Sequence, residues 1–296
     1  MTDEAVATLS SPAGYHAAAG EALSVADSFS ITRRAPTIVV APLGPQGCGK
    51  TTLITTMYDQ FQLGPFAGHL FAGSESLIGL ENRSFLSRTV SGETNARTER
   101  TEVGAGEQYL HLRLQEERQH ERPRDVLIAD MSGEIFEKLR DQPALAAQFP
   151  VIQAAHALAV FVDGELLASA KRHHSVLYDA RMLLAAIVQE APPNPHRIFQ
   201  IVITKWDVLA KVGRAESEVR NEVLQVADGL LPRPASQPDL FVTAARPGGS
   251  AAPWAYGCAA LLSSWMKLDS EQAAMDEQWQ ATADRFFDRF KAHTRT

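Results

Sequence analysis

The chain has 296 residues, of which 45% are hydrophobic and 21% charged, and its formal net charge of -7 argues against general nucleic-acid binding, which usually needs a basic excess. No apolar run reaches the roughly 18–20 residues that a membrane-spanning helix requires. The Met-Thr-Asp-Glu start lacks the basic and apolar parts of a secretion signal, so none is expected.

The beginning of the chain gives weak structural signals. Residues 1–34 are rich in Ala, Ser and Thr and hold few large apolar residues, so we expect a disordered or weakly helical tail, with one weak helix near Ala17–Ala26.

The two cysteines, Cys48 and Cys258, are too few for a disulfide framework and fit a reduced setting. We therefore expect a cytoplasmic protein.

The first strong strand signal is Thr37–Leu43, an apolar and partly β-branched run that is typical of a strand buried on both faces. A glycine-rich turn and a helix from about Lys50 to Phe61 follow it. Residues 64–104 contain several glycines and are predicted to be irregular, apart from one helix over Glu75–Ser87 that Ser74 caps.

The second half of the chain alternates strand and helix signals. Leu110–Leu114 reads as a half-buried strand, and a polar linker joins it in a hairpin to the short buried strand Val126–Ala129. Further strands are predicted at Ala157–Val162, Ile198–Ile203 and Leu240–Val242. Helices are predicted at about Glu134–Phe149, Glu165–Gln189, Glu216–Leu230 and Pro253–Met266. This alternation predicts an α/β fold, a mostly parallel sheet with helices on both faces.

The last segment of the chain is predicted to be a helix. Over Ser270–His293, apolar residues such as Trp279 and Phe286 recur at three- and four-residue spacing, which is the pattern of an amphipathic helix. We expect a C-terminal element, 269–296, that docks on the main domain, 35–268. Binding of a partner or a membrane surface is the alternative, but the mixed charges of this segment argue against a membrane.

Residues 44–51 match the phosphate-loop pattern G-x-x-x-x-G-K-[ST] in full. Their position between a buried strand and a helix favours this function over a chance glycine-rich turn. Backbone N–H groups of such a loop wrap a β-phosphate, Lys50 places its charge between the β- and γ-phosphates, and the Thr51 hydroxyl can bind Mg²⁺. The candidate nucleotide-binding residues here are Gly44, Pro45, Gln46, Gly47, Cys48, Gly49, Lys50, Thr51 and Thr52.

A second motif, D-M-S-G-E, begins at Asp130, directly after a buried strand. Asp130 can hold Mg²⁺, directly or through a water molecule, and Gly133 can bring its N–H to the γ-phosphate because no side chain blocks the approach. Glu134 stands where many GTPases carry a glutamine that orients the attacking water, and its negative charge predicts slow hydrolysis or help from another group. The alternative is that Glu134 only favours the first turn of a helix. The candidate catalytic residues are Lys50, Gly133 and Glu134.

A base-reading pattern, [NT]-K-x-D, spans Thr204 to Asp207 after a predicted strand. The Asp207 carboxylate can accept from the ring N–H and the exocyclic amine of guanine, and the stem of Lys205 can lie across the base. The loop after the next strand would present the Ala244 N–H to the base oxygen, although a simple strand-end turn is an equal interpretation. GTP or GDP with Mg²⁺ is therefore the predicted ligand, and an ATPase with a fortuitous T-K-x-D is the lesser alternative.

These motifs, in this order, resemble the translation-factor and Ras-like superclass of P-loop GTPases, and the chain looks most like the bacterial double-GTPase families. The narrower likeness rests on L-G-P from Leu43, A-G-S-E-S-L from Ala72, the strand Leu110–Leu114, the motif at Asp130 and V-D-G-E from Val162. It implies a GTPase that works with a second GTPase and effector proteins, and it points to prokaryotic conflict systems.

The resemblance also implies a switch threonine that meets Mg²⁺ when the γ-phosphate is present. Thr98 is our candidate metal ligand, and Thr101 is equally well placed before the next strand. Arg97 and Arg100 lie in the same segment, where an arginine could neutralise transition-state charge in cis. A solvated charged loop is the alternative for each arginine, and a partner could supply the catalytic arginine instead.

Two functions are therefore carried forward. The first is Mg²⁺-dependent GTP hydrolysis that drives a conformational switch for partner proteins. The second is a module whose bound GTP or GDP controls docking while intrinsic hydrolysis is negligible, and Glu134 is the residue that keeps it open. We expect neither nucleic acid nor a membrane span among the interactions.

Overall fold

The computed structural model describes residues 20–89, 107–118, 122–191, 196–231 and 237–272. The strands of these residues are β1 (Leu23–Ser24), β2 (Thr37–Leu43), β3 (His69–Gly73), β4 (Gln108–Glu116), β5 (Arg124–Ala129), β6 (Ala157–Asp163), β7 (Ile198–Thr204) and β8 (Asp239–Val242). They form one eight-stranded sheet in the order β1-β4-β5-β2-β6-β7-β8, and β3 pairs with β4 beside this path. The pairs among β5, β2, β6, β7 and β8 are parallel, which confirms the predicted mostly parallel sheet.

Helices cover the sheet and connect its strands. Their bounds are α1 (Val25–Arg34), α2 (Lys50–Leu63), α3 (Leu77–Thr89), α4 (Gly133–Asp141), α5 (Pro150–Ala154), α6 (Gly164–Ala168), α7 (His173–Glu190), α8 (Trp206–Lys211), α9 (Glu216–Gln225) and α10 (Cys258–Gln272). Within the described part of the chain, no helix combines the length and the apolar character needed to cross a membrane.

The strand β2 lies between β5 and β6 and divides the core. Successive side chains of a strand point to opposite faces, so Val39, Ala41 and Leu43 join the apolar cluster on one face while Ile38 and Val40 join the cluster on the other. Helices α4, α7 and α9 contribute to the first cluster, and α2 and α10 to the second. The predicted burial of β2 on both faces is thereby confirmed.

The sheet begins inside the segment that the sequence assigns to a tail. Leu23 pairs antiparallel with Tyr109 of β4, and Ile31 of α1 is fully buried in the core. Ser24 starts α1 with a capping box, in which its hydroxyl accepts from the Asp27 N–H and the Asp27 carboxylate accepts in return. The helix therefore lies further along the chain than the weak helix predicted at Ala17–Ala26.

The sequence analysis does not predict strand β3, because it treats residues 64–104 as irregular apart from one helix. It pairs antiparallel with β4 at the edge of the sheet, and a register irregularity separates Phe71 from Gly73. Its burial alternates weakly, because each side chain is half-buried or exposed. An edge strand of this kind carries little periodic signal. The hairpin predicted between the two following strands is confirmed as β4 and β5.

Several predicted helices are shorter or broken in the structure. The single helix expected over Glu134–Phe149 is instead α4 and a 3₁₀ turn over Pro143–Gln148, and the separate helix α5 begins directly after this range. Each proline starts a new helical segment rather than continuing the old one. The helix expected over Glu165–Gln189 divides into α6 and α7. The predicted helix after β8 starts later, as α10, and residues of the expected C-terminal helix beyond 272 lie outside the described residues.

Candidate nucleotide site

The sequence motifs meet at one edge of the sheet. The phosphate loop follows β2, Asp130 follows β5, Asp163 ends β6 and Thr204 ends β7. These four strands are mutually parallel, so their carboxyl ends lie together. In open α/β sheets this is the edge at which ligands bind.

Glycines shape the phosphate loop. Gly47 and Gly49 have φ angles of 75° and 95°, in the left-handed region that side chains disfavour. Gly44 lies so close to β6 that a Cβ atom added to it would sit 2.9 Å from the Phe161 carbonyl oxygen. The loop therefore packs against the central sheet, and it turns at positions that favour glycine.

Lys50 is buried at the start of α2. Its Nζ donates to the carbonyl oxygens of Gly44 at 2.7 Å and Pro45 at 3.0 Å, so the ammonium group lies inside the curve of the loop. No side chain caps the beginning of α2, where Thr51 and Thr52 lie half-buried in the first turn. The charge of Lys50 and the positive end of the helix dipole therefore act at the same place.

Cys48 is a packed side chain of the same loop. It is fully buried, and burial raises the pKa of its thiol although the nearby charge of Lys50 acts in the opposite direction. A thiol with a raised pKa stays protonated at neutral pH, and a protonated thiol is a poor nucleophile. The structure therefore favours packing over redox chemistry for this residue.

The second motif contacts the phosphate loop through Gly133. A Cβ atom added to Gly133 would lie 2.3 Å from the backbone nitrogen of Gln46, a distance that real side chains do not reach. Gly133 begins α4, whose cap is Ser132. The absence of a side chain thus allows the two backbone segments to touch.

Asp130 is buried and ion-paired. Its Oδ2 accepts from Arg83 Nε at 3.1 Å and lies 2.9 Å from Nη2 of the same arginine. Arg83 comes from α3, which the sequence reading predicts as a helix but to which it assigns no role at the site. The sequence did not predict this contact, because the two residues are 47 positions apart and nothing in the local sequence around Arg83 indicates its partner.

Glu134 occupies the first turn of α4, and its side chain is exposed. Its backbone N–H donates to the Ser132 hydroxyl at 3.3 Å. Both interpretations from the sequence survive this geometry, because an acidic residue in the first turn favours the helix dipole and also lies next to Gly133.

The base-reading motif is tied to the phosphate loop by Thr204. Its hydroxyl donates to the Cys48 carbonyl at 2.7 Å, and the Val162 carbonyl lies 3.2 Å away. The next residue, Lys205, has a positive φ of 50° and pairs with Asp163 at 2.8 Å and Glu165 at 2.9 Å. Burial opposes the charge of Lys205, but these two carboxylates outweigh it and raise the lysine pKa.

Asp207 is a buried carboxylate at the start of α8. Its Oδ2 accepts from the Gly248 N–H at 3.0 Å, and Lys211 lies 3.7 Å away. Gly248 belongs to the loop after β8, so this loop closes over the base-reading motif and contacts its carboxylate.

The N–H of Ala244 is engaged within the protein. It donates to the Tyr256 carbonyl at 3.0 Å, and Tyr256 donates back to the Ala244 carbonyl at 3.1 Å. The sequence predicts that this N–H binds a base oxygen, but in the structure it already donates within the β-bridge between Ala244 and Tyr256. The four candidates in the switch segment, Thr98, Thr101, Arg97 and Arg100, lie outside the described residues.

The donors at this edge can be compared with what Mg²⁺ requires. A Thr51 hydroxyl and an Asp130 carboxylate are hard oxygen donors of the kind that Mg²⁺ prefers, so the residue types fit. Among the residues that the structure describes, no group of three or more His, Cys, Asp and Glu side chains could hold a metal by itself. Phosphate oxygens and water would have to complete the coordination shell.

Comparison with known proteins agrees with this geometry. Residues 38–266 match a protein-family model described as Double-GTPase 2. The matched range contains the phosphate loop, the motif at Asp130 and the base-reading motif. No curated protein matches the chain.

Proposed function

The chain belongs to the Double-GTPase 2 family, and from this premise we propose that it binds GTP with Mg²⁺, hydrolyses it to GDP and phosphate, and acts as a conformational switch. The observation that carries the proposal is the convergence of two motifs on one loop. Thr204 contacts the Cys48 carbonyl and Gly133 contacts Gln46, so the base-reading and γ-phosphate motifs both lie against the phosphate loop.

Guanine recognition would depend on Asp207. Its buried carboxylate can accept from two guanine N–H donors, whereas adenine offers no matching pair. In the structure one oxygen of this carboxylate, Oδ2, accepts a hydrogen bond from the Gly248 N–H. Because the Ala244 N–H is engaged by Tyr256, we assign the base oxygen to the next main-chain donor, the N–H of Ala245.

Hydrolysis would proceed by attack of water on the γ-phosphorus, with cleavage of the bond to the oxygen that bridges to the β-phosphate. Mg²⁺, when bound, neutralises charge on the β- and γ-phosphate oxygens. Lys50 would exchange its carbonyl partners for phosphate oxygens, and the Gly133 N–H would donate to the γ-phosphate. Thr51 and Asp130 would hold the metal, and Thr98 would join them in the triphosphate state.

Nucleotide-dependent docking without hydrolysis is the second candidate function. Glu134 favours it, because an exposed carboxylate in the first turn of α4 adds negative charge beside an anionic phosphoryl group. In either case the partner would be a second GTPase or an effector protein. We also propose a cytoplasmic setting, because the two cysteines are too few for a disulfide framework, and a conflict-system role, on the strength of the resemblance.

The proposal is tested by competition between GTP and ATP for the purified chain. Wild type should prefer GTP, and Asp207→Asn should lose that preference and gain affinity for xanthine nucleotides. Discrimination of about 10³-fold is reasonable where a mismatched base would leave buried polar groups unpaired. Asp179→Asn, which alters a carboxylate paired with Arg140 on the surface, is the matched control. Equal wild-type affinity for ATP and GTP would refute guanine recognition.

A further inference from the structure

The ion pair between Arg83 and Asp130 is more buried than a surface salt bridge. Side-chain exposure is 3% for Asp130 and 19% for Arg83, and two guanidinium nitrogens approach the same carboxylate oxygen. A buried carboxylate without a counter-ion is costly, and Arg83 is the counter-ion that the structure provides for Asp130.

Arg83 is presented by a helix that is held at several points. At the start of α3, the Ser76 hydroxyl accepts from the His111 N–H at 2.8 Å, and the Gly79 N–H donates to the Gly20 carbonyl at 2.8 Å. One residue after Arg83, the Ser84 hydroxyl donates to Asp59 of α2 at 2.5 Å. The guanidinium is thus delivered to Asp130 by a fixed helix and not by a loose loop.

The position of the pair conflicts with a second cation. Asp130 is the carboxylate that our proposed function assigns to Mg²⁺. A guanidinium and a divalent cation at the same carboxylate repel each other, and they compete for its lone pairs. Arg83 bonds to Oδ2, so a metal ion that takes this oxygen directly must displace or move the guanidinium.

We propose that Arg83 is the resident counter-ion of Asp130 and sets the Mg²⁺ concentration at which the site loads nucleotide. The inference rests on the proposed function, and it adds a residue from outside the phosphate, metal and base motifs. Loading of Mg²⁺ with GTP releases the guanidinium from Oδ2, and α3 is then no longer tied to the end of β5. The metal-loaded state is thereby coupled to α3, the helix that leads into the segment with Thr98.

The experiment measures the affinity of a fluorescent GTP analogue across a range of free Mg²⁺ concentrations and in excess EDTA. Arg83→Ala should lower the Mg²⁺ concentration at half-maximal effect by about tenfold, within the usual range of coupling between two sites. Affinity in EDTA should change by less than about twofold, because without metal the two cations do not compete. Arg83→Lys keeps a cation with fewer hydrogen bonds and should fall between wild type and Arg83→Ala.

Arg140→Ala is the matched control, since it removes an arginine from a surface ion pair on α4. Thermal melting shows whether each variant is folded, and if Arg83→Ala does not fold, Arg83→Lys carries the test. An unchanged Mg²⁺ half-point in the folded variant overturns the inference, and so does a loss of single-turnover hydrolysis without any change in that half-point. Wild-type protein that binds GTP at no Mg²⁺ concentration refutes the proposed function itself and the inference with it.

Discussion

Glu134 shows how one side chain separates two mechanisms. The residue is exposed in the first turn of α4, directly after the glycine that touches the phosphate loop. When ionised it can accept a hydrogen bond from water but cannot donate one to the transferring phosphoryl group. If its position beside Gly133 faces the γ-phosphate, its charge opposes the transition state.

We therefore expect Glu134→Gln to raise the intrinsic rate of GTP hydrolysis or to leave it unchanged. Glutamine orients the attacking water in related enzymes, and the substitution also removes one negative charge. The measurement is phosphate release from purified protein under single-turnover conditions. Glu137→Gln, which changes another exposed acid of α4, is the control. A fall of about a hundredfold, the size of a lost general base, would show that Glu134 is itself the catalytic group.

The source of the compensating positive charge can be tested in the same assay. The variants Arg97→Ala and Arg100→Ala test whether an arginine of the switch segment acts in cis. A catalytic arginine of this kind raises the rate of hydrolysis by about 10³–10⁵-fold. A large loss of hydrolysis rate in one variant identifies the substituted arginine as the residue that acts in cis. If neither variant loses activity and the wild-type rate is slow, an arginine supplied by a partner becomes the leading explanation.

At the scale of elements, the contact between Gly133 and Gln46 joins the start of α4 to the phosphate loop. A methyl group at Gly133 would meet the Gln46 backbone nitrogen at 2.3 Å, and backbone atoms cannot swing aside as the end of a side chain can. Gly133→Ala should therefore displace the loop and weaken GTP binding by at least about tenfold, since loops that bind phosphate depend on close backbone approach.

The control for this prediction is Gly229→Ala. Gly229 has a positive φ of 72° and no atom within 4 Å of an added Cβ, so alanine there costs about 1–2 kcal/mol of backbone strain away from the site. It should lower stability without changing GTP affinity. Wild-type affinity in Gly133→Ala, measured by titration with the same fluorescent nucleotide, would contradict the role of this contact.

The elements that could be predicted from the sequence are those with local signals. Strands such as β2 and β6 are short apolar runs, and the motifs follow them at the edge where parallel strands end. The pairing of β3 with β4 depends on an edge strand with weak alternation, and that of β1 with β4 joins residues far apart in the chain. Arg83 was missed for the same reason, because its partner is 47 residues away.

At the scale of the whole molecule, the candidate site joins parts of both cores. The phosphate loop leads into α2 on one face of the sheet, while α4 and α8 begin at the same edge and pack on the other face. A nucleotide that contacted Lys50, Gly133 and Asp207 together would link these elements to one another. Nucleotide binding should therefore appear as added stability of the entire domain.

Mg²⁺ with GTP should accordingly raise the free energy of unfolding of the wild-type protein by about 2.7 kcal/mol at a ligand concentration of 100 Kd. Lys50→Ala should abolish this increase, because the ammonium group that would neutralise the phosphates is gone. The variant should also lose about 1–3 kcal/mol without ligand, since the carbonyls of Gly44 and Pro45 lose their donor, while its circular dichroism stays that of a folded protein.

Urea unfolding followed by circular dichroism, with and without nucleotide, measures both effects. Lys138→Ala, on the exposed side of α4, controls for the loss of a lysine and should keep the full increase. ATP at the same concentration should stabilise wild type less than GTP does, because linkage reports only the ligand that the native state binds. If Lys50→Ala were stabilised by GTP as much as wild type, the phosphate would be held without this lysine, and the proposed site would be wrong at its centre.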